Sequence, residues 1–447
     1  MGTEPDDARP AEDRAGVSRE RGRAAGPAGP TVGVEEEYLL VDPVSREPVP
    51  YGPEVAAQAA SASGLGDRFG TELTRHQVEA RTEPHATVGE LGEQIRSLRA
   101  AAARAAGRRG LCIVSSGSPV LGRPDPPPFS RSARYDRSVA TFRALDDEQA
   151  ICGCHVHIGI PDRARALQVG NHLRCWLPSL VALTANSPYW QGGDTGYASW
   201  RTMAWARWPA AGPPPYIESP AHFDDVVGRL IDTGAIMDRG GLYWDIRPSS
   251  HVPTLEIRAA DAVPTADETA LLAAVVKASA ATALAAVDAG EPAPRPGPEI
   301  LRAACWRAAR DGLAGQSVDL PSSRLVPAVT RLEQLLSWIR PALHHHGDLE
   351  FVRTAWARLR AGGSGADRQR AAYRSRAALP DVVDHLIATT TPANAGPSPF
   401  AARPRTGSIG RGVVDGVTAH PDGDGRPPAP TASRHERGER TPCQGEP

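Results

Sequence analysis

The stretch Thr31-Val-Gly-Val-Glu-Glu-Glu-Tyr-Leu-Leu-Val41 reads as a strand with two unlike faces. Side chains alternate along a strand, so residues i and i+2 look the same way. Val32, Val34, Tyr38 and Leu40 take one side, and Gly33, Glu35 and Glu37 take the other. Four further segments repeat the device. In residues 76–82, Val78 and Ala80 oppose Gln77, Glu79 and Arg81, and in 154–160 Val156, Ile158 and Ile160 oppose His155, His157 and Gly159. In residues 242–247, Leu242, Trp244 and Ile246 oppose Tyr243, Asp245 and Arg247. In 254–259, Leu255, Ile257 and Ala259 oppose Thr254, Glu256 and Arg258.

A sheet with one wet face accounts for any one of these strands. It does not account for Glu, His and Arg on strand after strand, where Thr, Lys, Ser or Gln would serve. Glu35 and Glu37 stand ~7 Å apart along a strand, where two like charges cost roughly 2.4 kcal/mol at an effective dielectric of ~20. Glu79 and Glu256 add to that repulsion unless cations hold the group together or the carboxyl pKa values rise. Carboxylates plus imidazole suit Mg²⁺ or Mn²⁺. The five strands thus predict a metal-lined concave surface. Arg258, on the face of Glu256, is placed to meet an anion held by those metals.

Composition narrows the chemistry further. The 447 residues carry 50 basic and 52 acidic side chains, a net charge of -2 that argues against electrostatic capture of nucleic acid or an anionic membrane. Among the basic residues only Lys277 is a lysine, in Val-Val-Lys-Ala-Ser with no glycine before it, so a phosphate-binding G-x-x-x-x-G-K-[ST] loop is impossible. Lysine-poor composition also disfavours ATP-grasp ligases. The six cysteines form no C-x-x-C pair, and residues 1–30 contain no apolar signal core, so a cytoplasmic location with reduced thiols is the expectation. Residues 269–287, the most apolar stretch, hold Lys277 near the middle and read as a buried helix rather than a membrane span.

Residues 1–30 and 391–447 are rich in Gly, Pro, Arg and Asp and are expected to be disordered tails around a catalytic body at 31–390. Thr87-Val-Gly-Glu90 and Thr265-Ala-Asp-Glu268 are capping boxes that open helices, the second being the alanine-rich one. Ser219-Pro220 opens a third. A Pro-rich break at 291–298 precedes a helical set at about 299–388.

The segments Gly33-Val-Glu-Glu-Glu-Tyr38, Gln77-Val-Glu79, Cys154-His-Val-His-Ile-Gly159, Tyr243-Trp-Asp245 and Thr254-Leu-Glu-Ile-Arg258 are also similar to motifs of a known family. With Asn186-Ser-Pro-Tyr-Trp-Gln191 and Asp194-Thr-Gly-Tyr-Ala-Ser-Trp-Arg201, their ordered set resembles the type 2 glutamate–cysteine ligases, also called carboxylate–amine ligases. The likeness spans about residues 31–390. It implies an α+β, glutamine-synthetase-like catalytic domain, an antiparallel sheet forming a funnel with helices packed behind it. It implies ATP and Mg²⁺ as cofactors, amino acids as substrates, and joining of the glutamate γ-carboxylate to the cysteine amine through an acyl phosphate. Carried over by motif, Glu35, Glu37 and Glu79 match acidic metal ligands, with Glu72 a looser match. His155 matches the metal-binding histidine, and Glu256 with Arg258 matches the last acid–arginine pair, Arg258 facing the nucleotide.

His157 and Asp245 both face the site, and either could take the proton of the attacking amine; for His157 a buried hydrogen-bonding role is equally open. Arg201 is a candidate for a substrate carboxylate, inside a long, aromatic-rich segment at 186–216. Glu36 points with the apolar residues and is left out of the ligand set. Cys152 and Cys154 read as small core residues, and His344-His-His346 as a solvated helix end. Two rivals remain at this level. One is a metal-dependent hydrolase of the His-x-His type, which would want that motif on the first strand of a barrel. The other is a non-catalytic nucleotide or amino-acid binder.

Overall fold

The computed structural model describes residues 29–64, 66–122 and 127–391; most of both expected tails lies outside them. Seven strands form one sheet: β1 (Val32–Val41), β2 (Phe69–Thr71), β3 (Gln77–Arg81), β4 (Cys112–Val114), β5 (Gly153–Gly159), β6 (Ile246–Pro248) and β7 (Thr254–Asp261). Their order is β2-β3-β1-β5-β7-β6, all antiparallel, with β4 pairing the far end of β1 at residues 39–41. The His-x-His motif therefore sits on an interior strand of an antiparallel sheet. That removes the parallel-barrel hydrolase reading.

The apolar faces do what their alternation predicts. Val32, Val34, Val156, Ile158, Leu255 and Ile257 are buried in one cluster against helices α1 (Val88–Gly107), α2 (Arg163–Leu173) and α3 (Ala266–Asp288). The α1 stripe of Val88, Leu91, Ile95 and Leu98 is buried, each large side chain contributing ~1.5–3 kcal/mol relative to exposure. Thr87 and Thr265 accept from the backbone N–H groups of Glu90 and Glu268, so both expected caps form. Ser219 likewise caps Pro220–Asp232. Helix α3 is long and apolar enough to cross a membrane, yet two-thirds of its apolar window is buried inside the protein. Its alanines let neighbouring helices and the sheet approach closely.

Three expectations need correction. Residues 242–245 are not strand: β6 begins only at Ile246, because a 3-10 turn at Arg239–Gly241 delivers the chain late and Asp245 N–H bonds the Gly212 carbonyl. The helical set after the Pro-rich break is interrupted by a hairpin, Gln316–Asp319 with Arg324–Pro327. The segment at 186–216 is partly regular, holding a two-residue strand pair and a helix at Trp200–Trp205.

Glu36 faces the core, as its place in the alternation demands. A buried carboxylate there needs compensation, and Arg99 of α1 supplies it with bonds of 2.6 and 3.1 Å to its two oxygens. Tyr38 and Thr269 hydroxyls donate to the same carboxylate. Arg99 also bonds the carbonyls of Val263 and Pro264, which pins the start of α3 to the middle of β1. Both partners are almost fully buried. Removing one partner of such a pair strands the other charge, at a cost of ~3–5 kcal/mol. Arg99→Ala is expected to lower the urea midpoint accordingly; a loss below ~1 kcal/mol would show the pair to be dispensable.

Candidate active site

Register alone assembles the polar face. Glu37 pairs with Glu79, Glu35 with His155, and His157 with Glu256, while Arg247 of β6 flanks Glu256 from the other side. The His157 ring is fixed by a 2.9 Å bond between Nδ1 and Thr254 Oγ1, which leaves Nε2 3.5 Å from Glu35 Oε2. One ligand atom each from Glu35, His157 and Glu256 lies within 4.8 Å of the others, a spacing that small side-chain rotations close around one divalent ion. His155 stands between Glu35 (3.4 Å) and Glu37 (3.8 Å) with its buried Nε2 lacking a hydrogen-bond partner. The tight three-residue cluster thus contains His157, whereas the motif reading had singled out His155 as the metal histidine; His155 adjoins it toward Glu37.

Charge on this face is divided into two halves. Around Glu256 cations prevail: Arg258 bonds Oε1, and Arg247 bonds Oε2 at 2.8 Å and reaches Oε1 at 3.4 Å. Despite burial, Arg258 and Arg247 hold the Glu256 carboxyl well below its usual range. The two histidines do the same for Glu35 against the burial penalty. On the other half acids crowd without enough cations. Burial and the Glu35 charge push Glu79 up to about 8, with Arg81 only partly opposing. Burial, then Glu79, Glu37 and Glu35, raise Glu72 well above the carboxylate range. Glu72 follows β2 and lies near Glu79, Glu37 and Glu35 in this acidic half.

A bulge on β7 shapes the far end. Val156 pairs with Ile257 but Cys154 with Ala260, so Arg258 and Ala259 together oppose His155. The alternation slips by one, and Asp261 comes round to the side of Arg258. Strict period-2 reading missed Asp261 for that reason. It accepts from the hydroxyls of Ser187 and Ser199 and from the Asn186 N–H, locking the 186–199 segment to the sheet. Arg201, 4% exposed, is thereby held beneath the site, donating to the Arg258 carbonyl at 3.2 Å while its Nε has no partner. A Cβ at Gly153 would fall 2.5 Å from Arg201 and 3.0 Å from His155, so only glycine lets both reach this point. Asp245 is buried beside Arg201 and Arg258, and burial pushes its carboxyl up to about 6. Arg247 was read as facing the site but given no role; its clamp on Glu256 emerges only from the β6–β7 register. Cys152 and Cys154 are buried thiols whose pKa burial raises, unsuited to zinc.

Glu79 titrates near 8 in the fold against 4.5 when free, so the native chain retains a proton there that the unfolded chain loses. Its stabilising contribution is complete below the lower value and drains away as pH rises through the upper one. In metal-free buffer, the melting temperature of Glu79→Gln minus that of wild type is expected to grow between pH 4.5 and about 8 and then level off. A difference that stays flat across that interval would contradict the crowding.

Comparison with known proteins gives the chain's family. The profile of glutamate–cysteine ligase family 2 (GCS2) matches residues 31–385. A protein of Saccharopolyspora erythraea, provisionally named glutamate–cysteine ligase 2-1, is 45% identical over 368 residues, covering 81% of this chain and 95% of its own length. One from Nocardia farcinica with the same provisional name is 43% identical over 379 residues, 82% of this chain and 96% of its own. Among solved structures, the glutamate–cysteine ligase of Francisella tularensis in complex with AMP superposes with a TM-score of 0.63 at 13% identity, over 81% of this chain and 88% of that one. A bifunctional glutathione synthetase from Pasteurella multocida gives 0.58 at 14% identity, over 81% of this chain and 52% of that one. The fold is α+β and glutamine-synthetase-like, and the chain belongs to glutamate–cysteine ligase family 2.

Proposed function

We propose that this chain is an ATP-dependent carboxylate–amine ligase that joins the glutamate γ-carboxylate to the amine of cysteine. The observation that carries the reading is the division of one sheet face into a Glu35–His157–Glu256 cluster flanked by two arginines and an acid-crowded half at Glu72 and Glu79. Carboxylates raised by burial and then by mutual repulsion, together with the His155 Nε2 that lacks a hydrogen-bond partner among the described residues, fit hard divalent ions such as Mg²⁺ or Mn²⁺. Glu35, Glu37, Glu72, Glu79, His155, His157 and Glu256 would hold them. Such ions would supply charge neutralisation to the triphosphate.

This chain's own groups do the rest. A carboxylate does not react with an amine, so a γ-carboxylate oxygen attacks the γ-phosphorus of ATP and ADP leaves. Arg258, which bonds Glu256 within the Glu35–His157–Glu256 cluster, would donate to the phosphoryl oxygens as charge shifts. Arg201, with a free Nε, is suited to a substrate carboxylate. The amine then attacks the acyl carbon of the mixed anhydride, phosphate departs, and γ-glutamylcysteine forms. Of the two candidates for the amine proton, Asp245 fits better. His157 is already engaged by Thr254 and Glu35, while the Asp245 carboxylate makes no hydrogen bond among the described residues and burial pushes it up to about 6.

Phosphate release from ATP, with product masses, is to be measured across a panel of amino-acid pairs. Turnover is expected with glutamate plus cysteine, and Glu256→Ala is expected to abolish it with the circular dichroism spectrum unchanged. Wild-type release by that variant would remove Glu256 from the mechanism, and ATP binding without turnover for any pair would favour the non-catalytic alternative. Asp245→Asn is expected to slow ligation by ~10²–10⁴-fold yet still yield γ-glutamyl hydroxamate with hydroxylamine, a weakly basic nucleophile that is already the free base near neutral pH and can shed its remaining proton to water after attack. Equal loss of both reactions would place Asp245 in the phosphorylation step instead.

A further inference from the structure

Glu256 is gripped by two arginines that differ in freedom. Arg258, two residues along the same strand, bonds Oε1 through Nη1 and leaves its buried Nε without a partner among the described residues. Arg247 bonds Oε2 through Nε at 2.8 Å and reaches Oε1 through Nη2 at 3.4 Å. Its Nη1 meanwhile donates to the carbonyls of Gly240 at 3.1 Å and Leu242 at 2.5 Å. A planar guanidinium held on both sides has little rotation left. Arg258 can swing from Oε1 toward an anion, whereas Arg247 stays. Oε1 is also the oxygen on the histidine side, 4.0 Å from His155 Nδ1.

The two carbonyls belong to a turn that is itself anchored from outside the sheet. Asp238 caps the 3-10 turn at Arg239–Gly241, its Oδ1 accepting from the N–H groups of Gly240 at 2.9 Å and Gly241 at 3.2 Å. Its Oδ2 takes Nη1 of Arg134, from helix Ala133–Phe142. A Cβ at Gly240 would stand 3.1 Å from both Arg134 and Asp238, so this junction is tightly packed. The residues before that helix are stitched to the acidic half. Ser130 N–H donates to the Leu73 carbonyl at 2.8 Å, and Ser130 Oγ donates to the Glu72 carbonyl at 2.6 Å. One short segment thus connects the backbone of Glu72 with the clamp on Glu256.

We propose that Arg247 is a positioning residue that holds Glu256 ready for a divalent ion, and that Arg134, through Asp238 and the carbonyls of Gly240 and Leu242, positions Arg247. The proposal rests on the reading of Glu35, His157 and Glu256 as metal ligands. Charge alone predicts the opposite sign: an arginine beside a metal site repels the ion, so its removal would tighten binding. Positioning predicts weaker binding, because an outer partner that orients a ligand is worth ~10–100-fold in metal affinity.

Mn²⁺ titration of the nucleotide-free full chain, with free Mn²⁺ read by electron paramagnetic resonance, separates the two. Arg247→Gln is expected to weaken Mn²⁺ by ~10–100-fold, and Arg247→Lys, which keeps the charge but not the fork, to weaken it too. Arg134→Gln removes a half-exposed side chain and so tests the relay with the fold intact. It is expected to cost about threefold or more alone and nothing further in the Arg247→Gln background. Raising Mg²⁺ is expected to restore phosphate release by Arg247→Gln to the wild-type maximum, with only the half-saturating Mg²⁺ concentration increased. Unchanged or tighter Mn²⁺ binding by Arg247→Gln or Arg134→Gln, additive losses in the double variant, or a maximal rate that Mg²⁺ does not restore would each overturn the proposal alone. Wild-type Mn²⁺ binding by Glu256→Ala would overturn the metal reading and the proposal with it.

Discussion

Mutual repulsion among carboxylates on one face of an antiparallel sheet is the constraint on which the rest depends. Glu35, Glu37, Glu79 and Glu256 are brought together by strand register, and Glu72 by the turn after β2. Water alone does not relieve such crowding when the groups are this buried. The protein divides the problem. Two arginines neutralise Glu256, two histidines stabilise Glu35, and Glu72 and Glu79 are left to hold protons. A face built this way is poised for divalent cations, because a metal replaces protons and repulsion in one step.

The scaffold's role is to keep that arrangement rigid. Glu36, one residue from either of two site acids, is tied by Arg99 and Thr269 into the start of α3, so β1 cannot rotate to relieve its neighbours. The β7 bulge lets one strand present Glu256, Arg258 and Asp261 on the same side. Asp261 then anchors the loop that carries Arg201. A chain with one lysine has little choice of phosphate ligand, and the buried Arg247–Glu256–Arg258 arrangement shows arginine supplying the fixed positive charge.

Much of this was legible before any coordinates. Period-2 alternation is a local property, so β1, β3, β5 and β7 and the faces of Glu35, Glu37, Glu79, His155, His157, Glu256 and Arg258 could be read directly. The caps at Thr87, Thr265 and Ser219 were equally local. What escaped depends on long-range pairing. Arg247 gains its role only because β6 lies beside β7, and Asp261 faces the site only because a bulge breaks the period. Which histidine joins the tight cluster was invisible too, since it turns on the Thr254 hydroxyl holding one ring nitrogen of His157. The late start of β6 reflects a 3-10 turn that no alternation pattern announces.

The central claim is that divalent ions gather where Glu35, His157 and Glu256 converge. Crystals grown with Mn²⁺ and a non-hydrolysable ATP analogue, with diffraction collected at the manganese edge, address it most directly. An anomalous peak within bonding distance of those three residues, with triphosphate oxygens completing its shell and Arg258 turned toward the γ-phosphate, is the predicted result. Nucleotide bound elsewhere, or manganese absent from this face at saturating concentration, would contradict the account.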